Sequence, residues 1–136
     1  MAIVEDLLHS EADETISFGN HERAEKGKLE DYAFAGDLYK VKTYQEITKL
    51  EKNGSFLYES VPGTSVNGFK ETAEGVTFTV EGADSAQITL GLEDDASYDV
   101  TIGDRQLGTM QTNMGGKLNI SVVFDKAPVR VQIVKK

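Results

Sequence analysis

The chain has 136 residues and a mass of 14.9 kDa, with 39% hydrophobic and 27% charged residues. This size and balance exclude a disordered tail and a fibrous repeat, and they predict one soluble globular domain. The absence of cysteine excludes a disulfide framework, a thiolate zinc site and a cysteine nucleophile.

The net charge of −9 is unevenly distributed. Residues 1–14 carry five acids and no Lys or Arg, and residues 61–110 carry nine acids against two basic residues. From residue 111 onward, five basic residues face a single acid. Because an acidic protein repels phosphate backbones, we expect no nucleic-acid partner.

Targeting and membrane signals are absent from the sequence. No stretch approaches the roughly 20 apolar residues of a membrane-spanning helix, and the first residues lack a basic region followed by an apolar run. We therefore expect a cytoplasmic protein with no membrane partner.

The acidic segment 1–13 is predicted to stand apart from a single β-sandwich domain at 14–136. Within residues 2–10, the apolar residues Ile3, Val4, Leu7 and Leu8 recur with spacing that fits one face of a helix. The segment is therefore expected to be a short N-terminal helix or a disordered acidic segment.

Most of the first half is predicted to be strands. Short runs rich in aromatic and β-branched residues occupy 15–18, 32–35, 38–43, 56–60 and 65–70. Residues 63–65 are the best candidate for a corner between the two parts of the chain.

Residues 43–54 fit two structures. Thr43 and Glu46 have the spacing of a helix capping box, with Gly54 as a helix-ending residue. The pair Asn53-Gly54 is also a strong signal for a two-residue hairpin turn that joins 47–51 to 55–59. We favour the hairpin because the surroundings are rich in strand signals and a two-turn helix is marginal alone.

The second half alternates apolar and polar residues with a period of two. The apolar rows lie at 76–80, 88–92, 98–102, 118–124 and 129–133, separated by short loops rich in Gly and Asp. The whole chain therefore predicts an all-β fold, an antiparallel β-sandwich of about ten short strands.

The stretch 92–102, Leu-Glu-Asp-Asp-Ala-Ser-Tyr-Asp-Val-Thr-Ile, resembles part of the fibronectin type III and immunoglobulin-like domains. In those domains a Leu six residues before a Tyr packs under a tyrosine corner. The resemblance implies that Tyr98 is buried and that its hydroxyl bonds a backbone group.

Three further stretches, at 36–43, 58–64 and 75–82, resemble a set of small acidic bacterial proteins, some of them labelled endosialidase. A sialidase needs three clustered Arg, a Tyr paired with a Glu, and a much longer propeller. This chain has only Arg23, Arg105 and Arg130, far apart in sequence. The resemblance therefore implies an accessory or folding-helper role more readily than catalysis.

Signals for catalysis and metal binding are weak. His9 and His21 are the only imidazoles, and neither is expected to lie where a strand would hold it as a base for a Ser or Thr nucleophile. The acids at 93–95, with Asp99 or Asp104, fit no EF-hand and are expected to form a solvated loop. We expect no metal and no cofactor. A glycosidase-type carboxylate pair is kept as a second, weaker alternative.

Aromatic residues between 30 and 60 are the best candidate ligand site. Tyr32, Tyr39, Phe56 and Tyr58 lie on predicted strands near several carboxylates, and such a face can bind a sugar by ring stacking and hydroxyl hydrogen bonds. Cross-strand pairing and core packing explain the same residues without a ligand.

Three hypotheses follow. The leading one is a non-enzymatic binding or assembly module that uses edge strands and loops to bind a protein partner or a second copy. Here the basic strand 128–136 and the acidic region 61–110 would pair between subunits and make association salt-sensitive. The first alternative is a small glycan-binding module that uses the Tyr-rich residues 30–60. The second is the glycosidase-type enzyme.

Overall fold

The computed structural model describes residues 3–125 and 127–136. Ala2, at the start of the predicted helix, and Lys126, in the predicted loop before the last strand, lie outside the described residues. The described chain forms thirteen strands and no helix. They are β1 (Leu8–Ser10), β2 (Ile16–Phe18), β3 (Gly27–Phe34), β4 (Asp37–Tyr44), β5 (Ile47–Lys52), β6 (Ser55–Val61), β7 (Ser65–Thr72), β8 (Gly75–Glu81), β9 (Ser85–Gly91), β10 (Ser97–Ile102), β11 (Arg105–Gln111), β12 (Lys117–Val123) and β13 (Val129–Lys135).

The strands form two antiparallel sheets. The first has seven strands in the order β1-β2-β7-β8-β13-β10-β11, and the second has six in the order β12-β9-β6-β5-β4-β3. The chain passes from the second sheet to the first between β6 and β7, at residues 63–65, where the sequence predicts a corner. The predicted all-β antiparallel fold is confirmed.

The core lies between the inner faces of the two sheets. The ring of Tyr58 on β6 meets Phe18 and Phe78 of the other sheet edge to face, with centroids 5.2 and 5.7 Å apart. The period-two rows of the second half supply most of the remaining core, because alternate residues of a strand point to one face. The two sheets therefore pack face to face in a sandwich-like arrangement.

Two local predictions are confirmed. Residues 47–61 form the hairpin, not the helix, and both turn residues, Asn53 and Gly54, have the positive φ that a type I′ turn requires (53° and 80°). Tyr98 is buried, and its hydroxyl accepts a hydrogen bond from the backbone N–H of Glu93 at 3.2 Å.

The prediction of a short N-terminal helix is wrong for the described residues. Leu8–Ser10 form β1 and pair with β2, and the Val4 N–H donates to the Gly19 carbonyl at 2.9 Å. Leu7 has a φ of 72°, which a right-handed helix does not allow. A short isolated helix is marginal in water, whereas pairing in the sheet bonds the backbone and buries Val4 and Leu8.

The strand count of about ten is also too low. The strands that the sequence does not predict are β1 and β11, and the side chains of β11 are nearly all exposed. An edge strand without a buried face has no apolar alternation, so no period-two signal marks it.

The basic strand 128–136 forms β13, which pairs with β8 on one side and β10 on the other. Its backbone is therefore not free to pair with another subunit. Lys135 Nζ lies 2.8 Å from Glu93 Oε1 of the same chain, so part of the positive charge of β13 is already paired with a carboxylate. The described chain contains no helix that is long and apolar enough to cross a membrane.

Candidate binding site

The structure brings together only two of the four predicted site residues. Tyr32 and Tyr39 lie directly opposite each other on β3 and β4. Phe56 and Tyr58 lie on opposite faces of the second sheet, because Phe56 pairs with Glu51 and Tyr58 with Leu50. The register shift between these pairs leaves Leu57 as an extra residue, and a bulge of this kind reverses the face that follows it.

Tyr58 is a core residue. Its side chain is fully buried, and its hydroxyl lies 2.7 Å from the hydroxyl of Thr64. Burial raises the pKa of the Tyr58 phenol well above its usual value. A ligand cannot reach this ring in the folded protein, so the structure does not support Tyr58 as a binding residue.

Tyr32 and Phe56 have their own partners within the chain. The Tyr32 hydroxyl accepts from the Ser10 N–H at 2.9 Å and donates to Ser10 Oγ at 3.1 Å, which ties β3 to β1. Phe56 is half-buried on the outer face, with Lys117 Nζ 4.8 Å above its ring. Both are explained without a ligand.

Tyr39 lines a cavity of about 450 Å³ that opens between the two sheets. The first sheet contributes β2 and β7 residues, and the second contributes the β3–β4 hairpin and the end of β5. The lining residues are Glu14, Ile16, Phe34, Ala35, Asp37, Tyr39, Lys52, Phe69, Lys70 and Glu71. Apolar rings therefore form part of the wall, and charged side chains surround them.

The aromatic wall is held by packing. The rings of Phe34 and Tyr39 meet at a centroid distance of 6.1 Å and an angle of 62°, and Phe69 belongs to the core beneath them. The tight turn at Ala35 and Gly36 returns the chain at once, so Phe34 and Tyr39 come to the same end of the hairpin. This wall needs no ligand to form.

An ion pair spans the cavity from one sheet to the other. Lys52 Nζ lies 2.6 Å from Glu71 Oε1, and this hydrogen bond, opposed by partial burial, raises the pKa of Lys52. Asp37 adds a second negative charge near the same ammonium group. The rim therefore presents both a cation and carboxylates.

The Tyr39 hydroxyl has no hydrogen-bond partner among residues 3–125 and 127–136. The residue is only 7% exposed, but its hydroxyl oxygen is not among the buried side-chain atoms that lack a partner, so it is accessible to solvent. Burial, partly offset by Lys52, raises the pKa of Tyr39, so its hydroxyl stays protonated at neutral pH. The hydroxyl can donate one hydrogen bond and accept another from a molecule in the cavity.

The histidines behave differently from each other. His9 contacts Asp6 and Glu11 at 2.9 Å each, and the Asp6 hydrogen bond is the main cause of its raised pKa. His21 lies in the turn between β2 and β3, not on a strand, and its Nδ1 is 2.7 Å from Ser65 Oγ at the start of β7. Ser65 is fully buried, however, and no substrate can reach it there.

The weaker signals lead to no site in the described part of the chain. No group of three or more His, Asp or Glu residues there is placed to hold a metal ion. Glu14, Asp37 and Glu71 all line the cavity, but Glu71 is engaged by Lys52. The three arginines lie apart, one before β3 and the others on β11 and β13.

The fold and this cavity together define an all-β protein with two packed antiparallel sheets and a concave, partly aromatic site between them. Comparison of the chain with protein-family models, with curated proteins and with solved structures gives no match.

Proposed function

We propose that the protein is a non-enzymatic binding module that takes a small carbohydrate in the cavity between the sheets. The observation that carries this proposal is that Tyr39 lines the 450 Å³ cavity and that its hydroxyl has no hydrogen-bond partner in the described chain. A cavity of this size lies within the usual range of small-molecule sites.

The cavity offers what sugar recognition needs. Sugars present C–H faces that pack on aromatic rings and hydroxyls that hydrogen-bond to charged or polar groups. Phe34 supplies a partly exposed ring, which the buried Phe69 supports, while Lys52, Asp37 and Glu71 supply donors and acceptors at the rim. Because strands from both sheets form the wall, binding requires little ordering of the chain.

Titration with a panel of neutral and acidic oligosaccharides, including sialosides, tests this proposal. We expect saturable amide chemical-shift changes confined to residues 34–39, 52 and 69–71. Tyr39→Phe should weaken binding about five- to tenfold, because it removes one hydrogen bond without changing the ring.

Tyr44→Phe is the matched control, because Tyr44 is on the same strand, outside the cavity and under Lys26. It should leave the affinity unchanged. A panel that produces no saturable shifts contradicts the carbohydrate proposal, and equal affinities for wild type and Tyr39→Phe contradict the role of the hydroxyl.

Self-association through β12 is a second candidate function. This strand is an edge of the six-stranded sheet, and its pairing with β9 runs over seven residues without a register shift. The Phe124 N–H donates to the Asp84 carbonyl, and the Leu92 N–H donates to the Gly116 carbonyl. The even-numbered residues on this side therefore bond to the β9 strand, and the backbone groups of the odd-numbered residues of β12 point away from it. Such an edge can pair with another strand.

A two-fold pairing of β12 with a second copy suits its side chains. Centred on Ile120, the antiparallel register places Lys117 opposite Val123 and Asn119 opposite Ser121, so no like charges meet. Val123 is 72% exposed and would be partly covered. This arrangement is isologous and closes as a dimer.

Light scattering at low and high salt tests self-association. Pairing through backbone hydrogen bonds should give a dimer at both salt concentrations, whereas the charge pairing expected from the sequence would dissociate at high salt. Val123→Lys should give a monomer, because a charged side chain protects an edge strand. Val134→Lys, on the central strand β13, is the control and should remain dimeric. A monomer at every salt concentration contradicts both forms of association.

A further inference from the structure

Three lysines form a row across the outer face of the six-stranded sheet. Lys28 on β3 pairs directly with Lys42 on β4, and Lys42 pairs directly with Lys49 on β5. Their sequence neighbours Val41, Thr43, Thr48 and Leu50 are fully buried, so the lysines point to the opposite, solvent-facing side. Adjacent strands are about 4.8 Å apart, so the three side chains rise side by side.

This arrangement is unfavourable in the absence of a counter-charge, because like charges directly opposite each other destabilise a sheet. The nearby acids compensate only in part. Glu51 Oε2 lies 3.6 Å from Lys49 Nζ, Glu30 Oε1 lies 3.5 Å from Lys40 Nζ, and Glu59 on β6 is directly opposite Lys49. Lys28 and Lys42 form no ion pair with any carboxylate of residues 3–125 or 127–136.

The lysines also enclose a depression. Its volume is about 190 Å³, and its lining consists of Lys28, Lys40, Lys42, Lys49 and Glu51. A water molecule occupies about 30 Å³ in the liquid, so the depression has room for a small oxyanion and part of its hydration shell. Four lysines face three carboxylates, those of Glu30, Glu51 and Glu59, which leaves an excess of one positive charge at this place in a chain of net charge −9.

We propose that this lysine row is a binding site for a tetrahedral oxyanion, a phosphate or sulfate group. Each ammonium group has three rotatable donors, and long side chains on three adjacent strands, with Lys40 two residues along β4, can converge on one anion. The acidic charge elsewhere opposes binding little at physiological salt, because charges more than about 8 Å away are largely screened. The site is on the outer face of the sheet and is independent of the cavity between the sheets.

Lys42→Glu separates this proposal from a merely solvated lysine face. The substitution places a carboxylate between Lys28 and Lys49, so the free variant should be more stable than wild type, with a melting temperature about 1–3 °C higher at low salt. The same change should abolish anion binding. If the lysine row binds an anion, Lys42→Glu should raise the stability of the protein and remove anion binding together, because the row then lowers stability in favour of binding.

Binding is measured with inorganic phosphate and inorganic sulfate in separate titrations at constant ionic strength. We expect millimolar affinity, saturable amide shifts at residues 28, 40–42 and 49, and a rise of about 4–6 °C in the melting temperature of wild type at tenfold excess over Kd. If phosphate and sulfate bind alike, the site recognises the tetrahedral oxyanion; if one alone saturates, that anion is the ligand class.

Lys42→Ala should weaken binding at least tenfold. Lys117→Ala removes the same charge from β12, at the opposite edge of the sheet, and should leave binding unchanged. Non-saturating shifts, or equal stabilisation of wild type and Lys42→Glu by phosphate, would overturn the proposal, because both would indicate a general salt effect. Equal loss of binding in the Lys42 and Lys117 variants would overturn it as well.

Discussion

Replacing Tyr58 by Ala should lower the free energy of unfolding by about 3–5 kcal/mol, the range for removing a large buried ring. The ring is fully buried and meets Phe18, Phe69 and Phe78 of the opposite sheet at centroid distances of 5.2, 6.3 and 5.7 Å. Its removal leaves a cavity at the point where the two sheets meet. Urea unfolding followed by circular dichroism measures the loss.

Two conservative variants divide this effect between ring and hydroxyl. Tyr58→Phe should cost only about 1–2 kcal/mol, because Thr64 Oγ1 remains 2.7 Å from Ser60 Oγ. Thr64→Val should cost more, about 2–4 kcal/mol, because it leaves the buried hydroxyls of both Tyr58 and Ser60 without this partner. A Tyr58→Ala variant that unfolds like wild type but no longer binds a carbohydrate would contradict the core assignment.

These hydroxyls belong to a buried polar network that no pattern in the sequence indicates. Thr48 Oγ1 donates to the Thr64 carbonyl at 2.7 Å, accepts from the Thr64 N–H at 3.0 Å, and lies 2.8 Å from Thr43 Oγ1. The Asn20 N–H donates to Thr43 Oγ1 at 2.8 Å. Four separate segments thus meet at one corner, and contacts of this kind depend on tertiary structure.

The strands of the second half could be predicted because each has one buried and one exposed face. Leu118, Ile120 and Val122 alternate with Asn119 and Ser121, and this alternation is what a half-buried strand requires. β11 could not be predicted in this way. Its side chains are exposed on both faces, and pairing with β10 holds it in place instead of burial.

The candidate site was only partly predictable. The direct pairing of Tyr32 with Tyr39 depends on the register of β3 and β4, which the sequence does not show. The sequence shows both residues on strands, but it does not show the bulge at Leu57 that turns Phe56 away from Tyr58. Lys52 and Glu71 are 19 residues apart and meet only because β5 and β7 belong to facing sheets. The lysine row is different, because Lys40 and Lys42 already show a period of two on a predicted strand.

The two proposed sites use opposite faces of the same sheet. Inward-facing residues of β4, such as Tyr39, contribute to the cavity, and outward-facing ones, Lys40 and Lys42, contribute to the lysine row. The corner at residues 63–65 packs against the end of β4, so a change in the corner would displace the strand that contributes to both sites.

Gly63→Ala should destabilise the protein by about 3 kcal/mol or more, because a Cβ at this position would overlap the carbonyl oxygen of Tyr44 at the end of β4. The overlapping atom belongs to the backbone, so no side-chain rotation relieves it. Either the corner or the β4–β5 turn must move, and the hydrogen bond from Gly63 N–H to the Gln45 carbonyl (2.9 Å) is strained or lost.

Gly115→Ala provides the control for this prediction. A Cβ there meets only the side chain of Asn113 at 3.4 Å, and its stability should remain within about 0.5 kcal/mol of wild type. Urea unfolding of both variants, with amide shifts of Thr48 and Thr64 as a local readout, distinguishes a strained corner from a general glycine effect. Equal stability of the two variants would show that the corner relaxes without loss, and the close packing of Gly63 on Tyr44 would then not be what fixes the passage from β6 to β7.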